Sequence, residues 1–161
     1  MSVKNDTAFA PGISSNAGTK SGTKPKTVDA AAGNDVLEKK GAFRPKIVAF
    51  CCNWCSYAGA DLAGSSRLEY PADVKIIRIP CSCRLNPIFI LRAFQRGADG
   101  VILCGCHPGD CHYTSGNYFA RRRMTLLFSM LEFLGIEKGR TRVEWVSAAE
   151  GAKFAKTMHE F

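Results

Sequence analysis

The sequence predicts an α/β domain: a small open, mainly parallel sheet of about four strands, flanked by helices, with cysteine loops at the carboxyl ends of the strands. Three observations lead there. Four short runs rich in apolar residues, at 46–50, 74–79, 100–104 and 142–146, have strand length. Segments of helical period lie between them, and strands alternating with helices form parallel sheets through right-handed crossovers. Seven of the eight cysteines form three clusters that follow the first three runs. The eighth, Cys104, closes the third run.

Residues 1–42 are rich in Gly, Ser, Thr, Lys, Ala and Asn, with only scattered apolar side chains. They cannot bury enough surface to offset ordering entropy, so a disordered N-terminal extension is expected there and a folded domain at 43–161. Lys46-Ile47-Val48-Ala49-Phe50 suits a strand buried on both faces. A short helix is expected at 61–68, then a second strand at 74–79. Asn86-Pro87 can cap and start a helix that runs to about Arg96, where Gly97 supplies the stop. The third strand follows at 100–104. The longest helix is expected at 115–134, with Phe119, Leu127, Met130, Leu131 and Leu134 as its apolar side and Gly135 as its end. A fourth strand at 142–146 and a last helix at 148–159 complete the domain.

Length and composition narrow the function. The 161 residues suffice for one domain with a substantial core. No run reaches the roughly 18 apolar residues of a membrane span. Residues 1–42 hold neither a continuous apolar segment nor an arginine, which argues against secretory and mitochondrial targeting, so a cytoplasmic location is expected. The net charge is +8, of which +6 falls in residues 43–161 (16 Lys and Arg against 10 Asp and Glu). No nucleic-acid motif accompanies the one dense basic run, Arg121-Arg122-Arg123. That run reads as a solvated face or a docking surface for an acidic protein.

In a reducing compartment, clustered cysteines favour metal binding or catalysis over disulfides. The clusters are Cys51-Cys52-Asn53-Trp54-Cys55, Cys81-Ser82-Cys83 and Cys106-His107-Pro108-Gly109-Asp110-Cys111-His112. Cys52-x-x-Cys55 serves zinc, iron–sulfur clusters and thiol–disulfide exchange alike. Cys106-x4-Cys111 has a spacing found in plant-type 2Fe–2S ferredoxins. Together these two motifs supply four thiolates, enough for a 2Fe–2S cluster or a tetrahedral zinc, with Cys81 as a fifth candidate. Cys51 and Cys104 read as small buried hydrophobes. His107 and His112 read as hydrogen-bond donors near sulfur or as residues that orient the loop, ahead of direct ligation, and Trp54 as a shield over the site or an ordinary core residue. Neither an acid–base pair nor a nucleotide fingerprint is visible, so no independent substrate turnover is expected. A thiol–disulfide oxidoreductase using Cys52 and Cys55, or a zinc-organised interaction module, are the alternatives.

The stretch Phe50 to Asp61, together with Gly105-Cys106-His107-Pro108-Gly109-Asp110-Cys111-His112-Tyr113, Gly116-Asn117-Tyr118 and the run Glu144 to Gly151, resembles the methyl-viologen-reducing hydrogenase delta-subunit family. The resemblance covers about residues 44–161. It implies an electron-transfer subunit carrying a 2Fe–2S cluster. Such a subunit relays electrons from a hydrogenase or formate dehydrogenase to the flavin-containing subunit of a heterodisulfide reductase. By motif position, the implied cluster residues are four of Cys52, Cys55, Cys81, Cys106 and Cys111. Cys83 and Cys104 depart from the family pattern, where small residues are usual.

Overall fold

The computed structural model describes residues 43–161, so the expected extension at 1–42 lies outside the described residues. Four parallel strands form one sheet: β1 (Ile47–Cys52), β2 (Val74–Ile79), β3 (Gly100–Gly105) and β4 (Thr141–Trp145), in the order β2-β1-β3-β4. The helices are α1 (Ser56–Ser65), α2 (Pro87–Gln95), α3 (Gly116–Phe133) and α4 (Gly151–Glu160). The expected α/β class and parallel sheet are therefore present.

Alternation along the strands divides the core into two layers. Ala49, Cys51, Ile102 and Cys104 join Ala60 and Ala63 of α1 and Phe154, Ala155 and Met158 of α4 on one face. Phe50, Val101 and Leu103 join Ile90 of α2 and Ala120, Met124, Leu127 and Leu131 of α3 on the other. Phe154 is fully buried, and its truncation to Ala would cost about 3–5 kcal/mol.

Local signals set the boundaries of α2. The Asn86 side chain accepts a hydrogen bond from the Ile88 N–H at 3.0 Å, Pro87 occupies the first turn, and Gly97 closes the end at φ +84°. Two expectations need correction. α1 starts at Ser56, immediately after the cysteine cluster, rather than at 61. Its apolar face is made of Gly59, Ala60 and Ala63, residues too small to show as a hydrophobic stripe in sequence. On α3 the buried side is Gly116, Ala120, Met124, Leu127 and Leu131, whereas Phe119, Met130 and Leu134 are exposed. Small residues again decide which side of the helix approaches the sheet.

Candidate metal centre

The site lies where the chain changes direction across the sheet. β1 is central, with β2 on one side and β3 on the other. The helix after β1 packs on one face and the helix after β3 on the opposite face, so the two loops diverge and open a crevice at the strand ends. All three cysteine clusters border this crevice. Cys51 and Cys52 are not loop residues, however, but the last two positions of β1.

Strand alternation sorts those two thiols. Cys51 turns into the α1/α4 core, in register with Cys104 of β3, and both are fully buried. The contact with Cys51, and then burial, holds the Cys104 thiol well above its ordinary pKa, so it stays protonated. Cys52 instead joins Cys55 and Cys106: the three Sγ atoms lie within 4.8 Å of one another and all are buried. Cys52 Sγ and Cys106 Sγ are 3.8 Å apart.

A second gathering stands at the N-terminus of α3. Cys81 Sγ and Cys111 Sγ are 3.9 Å apart. A Cβ on Gly116 would lie 2.5 Å from Cys81 Sγ, 3.0 Å from Cys111 Sγ and 3.4 Å from Cys83 Sγ, so only glycine lets the helix start here. Cys106 and Cys111, close in sequence, thus have close sulfur neighbours in different clusters. The turn after Cys111 is tight: Thr114 donates its N–H to the Cys111 carbonyl at 2.8 Å and sits at φ +68°. A β-branched residue in that left-handed region stores strain, held by the surrounding loop.

The thiols are electrostatically unequal. Hydrogen bonding from Cys55 pulls Cys52 down to about 5 against the opposing effect of burial. The same contact, followed by burial, pushes Cys55 up. Burial raises Cys106, and raises Cys81 to about 12. The first gathering therefore carries one thiolate stabilised by neighbouring S–H groups, and a cation would displace the remaining protons.

Each loop has its own clamp. Ser56 Oγ, fully buried, donates to the Cys104 carbonyl at 2.7 Å and accepts from the Cys52 N–H at 2.8 Å, tying the ends of β1 and β3 together. Arg123 Nη1 donates to the carbonyls of Cys83 at 2.6 Å and Leu85 at 2.9 Å, fixing the short 3-10 helix Ser82–Arg84. Asn117 Nδ2 donates to the carbonyls of His107 at 2.6 Å and Cys106 at 3.3 Å. Nothing in the sequence pattern assigns a role to Ser56 or Asn117, and Arg123 reads there as part of a solvated face or a docking surface, not as a clamp. Their one signal is position: each lies on the helix that follows a cysteine loop.

His107 pairs with Glu150 at 2.7 Å, and Glu150 also accepts the Ser147 N–H at 2.7 Å. The Ser147 bond first, and His107 second, lower the Glu150 carboxyl to about 2. Trp54 is half exposed and stacks on His112 at 3.7 Å between ring centroids, with its Nε1 donating to the Tyr113 hydroxyl at 3.3 Å. It stacks at the surface with the loop that holds His112 and Tyr113 instead of joining the core. Arg84 is exposed.

The donor set suits a thiophilic metal cluster. A tetrahedral centre with metal–sulfur bonds of about 2.3 Å has sulfur–sulfur edges of about 3.8 Å, which both close thiol pairs match. The Ser82 hydroxyl, between Cys81 and Cys83 in sequence, is a buried polar group without a hydrogen-bond partner, and it stands 3.2 Å from where a Cβ on Gly105 would lie.

Comparison with known proteins agrees with this chemistry. A family model described as methyl-viologen-reducing hydrogenase, delta subunit, matches residues 47–161. The iron-sulfur subunit of the vhc F420-non-reducing hydrogenase of Methanococcus voltae is 58% identical over 118 residues, covering 73% of this chain and 82% of that protein. The iron-sulfur subunit of the F420-non-reducing hydrogenase of Archaeoglobus profundus is 56% identical over 119 residues, covering 74% and 87%. One subunit of the Ferredoxin/F(420)H(2)-dependent CoB-CoM heterodisulfide reductase of Methanosarcina acetivorans is 50% identical over 117 residues. That match covers 73% of this chain and 15% of the relative, so there a similar domain is one part of a much longer polypeptide.

Proposed function

The chain belongs to the methyl-viologen-reducing hydrogenase delta-subunit family, and from that premise we propose that it is the electron-transfer subunit of an oxidoreductase complex. In this reading it holds one 2Fe–2S cluster on four of Cys52, Cys55, Cys81, Cys106 and Cys111. It relays electrons from a hydrogenase or formate dehydrogenase to the flavin-containing subunit of a heterodisulfide reductase, without substrate turnover of its own. The observation that carries the proposal is the two buried sulfur pairs, 3.8 and 3.9 Å apart, drawn from three cysteine clusters at the strand ends. The cluster supplies one-electron redox chemistry; the protein supplies binding, positioning and electrostatics. Burial of the thiols excludes water, and the Ser56, Arg123 and Asn117 clamps hold their loops so that the sulfurs need not reorganise between redox states.

Cys52, with its thiol held near 5, has the acidity of a thiol–disulfide nucleophile, which favours the second reading. Its side chain is only 1% exposed, so a protein disulfide has no approach to it. The absorption spectrum of anaerobically purified protein tests the assignment. Iron–sulfur bands that bleach on reduction are expected, with a matching EPR signal. A colourless zinc protein, or free thiols titrating without metal, would overturn it.

A further inference from the structure

α3 presents two apolar faces, and the sheet accounts for one. Ala120, Met124, Leu127 and Leu131 pack inward. Phe119, Leu126, Met130 and Phe133, spaced by seven, four and three residues, form a second row along the helix. All four are more than half exposed, with Leu126 at 67% and Phe133 at 91%. A contiguous row of large apolar side chains on one helix marks an interaction surface, whereas scattered exposed apolar residues do not. Helical spacing places Arg122 on one flank of the row and Arg123 on the other, with Arg123 tethered to the Cys83 and Leu85 carbonyls. The one carboxylate of α3, Glu132, falls away from the row and pairs with Lys138 at 2.9 Å. The surface is thus an apolar ridge with a cationic border, complementary to an apolar groove rimmed by carboxylates.

The ridge also has an end. α3 begins at Gly116, against the sulfurs of Cys81, Cys111 and Cys83, and Phe119 lies within one turn of it. Phe119 stands about 5 Å of helix rise from Gly116, so a partner seated along the ridge would reach the cysteine end of the helix. We propose that this ridge is the docking surface for the heterodisulfide-reductase-side subunit of the complex, which makes the Cys81/Cys111 end the electron exit. The inference rests on the proposed function. Its partner is chosen because a domain 50% identical to this one occurs within a heterodisulfide reductase polypeptide, where the two are held together covalently.

The test uses the full chain in its assembled complex, with a photo-reactive phenylalanine analogue at Phe133. The expected product is a covalent adduct with the heterodisulfide-reductase-side subunit. The paired variant Leu126→Glu with Phe133→Glu should weaken retention of that subunit by on the order of a hundredfold, since it places two charges against a groove that is apolar within and acidic at its rim. Iron–sulfur absorption of the variant and retention of the hydrogenase-side subunit should be unchanged. An adduct with the hydrogenase-side subunit, an adduct with a second copy of this chain, or no adduct in an intact complex would each overturn the proposal. If the paired variant does not fold, the adduct at Phe133 still decides. Failure of the functional reading shows separately, as loss of the iron–sulfur absorption in the unaltered chain.

Discussion

Adding one methyl group at Gly116 should disable the cysteine site, while the same change at Gly64 should do no harm. At Gly116 the new Cβ would stand 2.5 Å from Cys81 Sγ and 3.0 Å from Cys111 Sγ. Ordinary contact between such atoms is about 3.5–4.0 Å, so Cys81 or the helix start must shift by about 1 Å. That shift is large against the tolerance of metal–sulfur bonds, about 0.2 Å. With Cys81 and Cys111 in the proposed ligand set, that displacement should cost on the order of 10–100-fold in cluster retention. Gly64 lies in α1 with nothing within 4 Å of its Cβ position. Gly64→Ala should stabilise the chain by about 0.5–1 kcal/mol through helix propensity. Iron and sulfide per chain, together with the visible spectrum and the urea midpoint, measure both outcomes. Full cluster content and an unaltered EPR spectrum in Gly116→Ala would refute the placement of Cys81 and Cys111 around the helix start.

Arg123→Ala should loosen the Ser82–Arg84 turn by removing two hydrogen bonds to carbonyls; a loss of about 2–3 kcal/mol in urea unfolding is expected, with an altered EPR line shape that Arg123→Lys only partly restores. Cys104→Ala removes a protonated, fully buried thiol from the α1/α4 layer, so it should cost roughly 1–2 kcal/mol and leave iron content untouched; lost iron would show that Cys104 is a ligand after all. The Glu150 carboxyl is held near 2, below its unfolded value of about 4.3, so its contribution is complete above pH 4.3 and fades as pH falls towards 2. The stability gap between the metal-free parent and its Glu150→Gln variant should therefore close between about pH 5 and 2, and a gap independent of pH would contradict the pairing. Removing metal with a chelator should leave far-UV circular dichroism nearly unchanged while amide exchange accelerates at 52–55, 81–85 and 106–116; global unfolding would place the site within the folding core.

The strands and the cysteine-bearing crevice are legible in sequence because each strand is a short apolar run and each cluster follows one. Three features are not. The sequence points to 61–68 for α1 because its buried side consists of Gly59, Ala60 and Ala63, which pack by being small and leave no periodic stripe. The apolar side of α3 is misleading because Phe119, Met130 and Leu134 have the right chemistry for a core but lie outside it. Motif spacing joins Cys106 with Cys111, yet their close sulfur contacts are to Cys52 and Cys81 respectively. Spacing reports which thiols share a loop. Which thiols share a metal depends on how the loops of different strands meet, and that information is held in residues such as Gly116 and Arg123, whose role is steric or structural.

The separation between core and site gives that arrangement its logic. Neither of the two large apolar layers contains Cys52, Cys55, Cys81, Cys106 or Cys111, whereas Cys51 and Cys104 lie wholly within one of them. The fold therefore has a source of stability independent of any ligand, and the thiols meet only after β1 has paired with both β2 and β3. Cys52 and Cys106 meet across the β1–β3 pairing; Cys81 and Cys111 meet where the loop after β2 reaches the start of α3. The sheet thus brings unpaired thiols to a defined crevice before metal arrives, and the clamps from Ser56, Asn117 and Arg123 reduce the ordering left to binding. Binding energy can then go into holding sulfur geometry fixed rather than into folding the chain, which is what the proposed electron-transfer role would require.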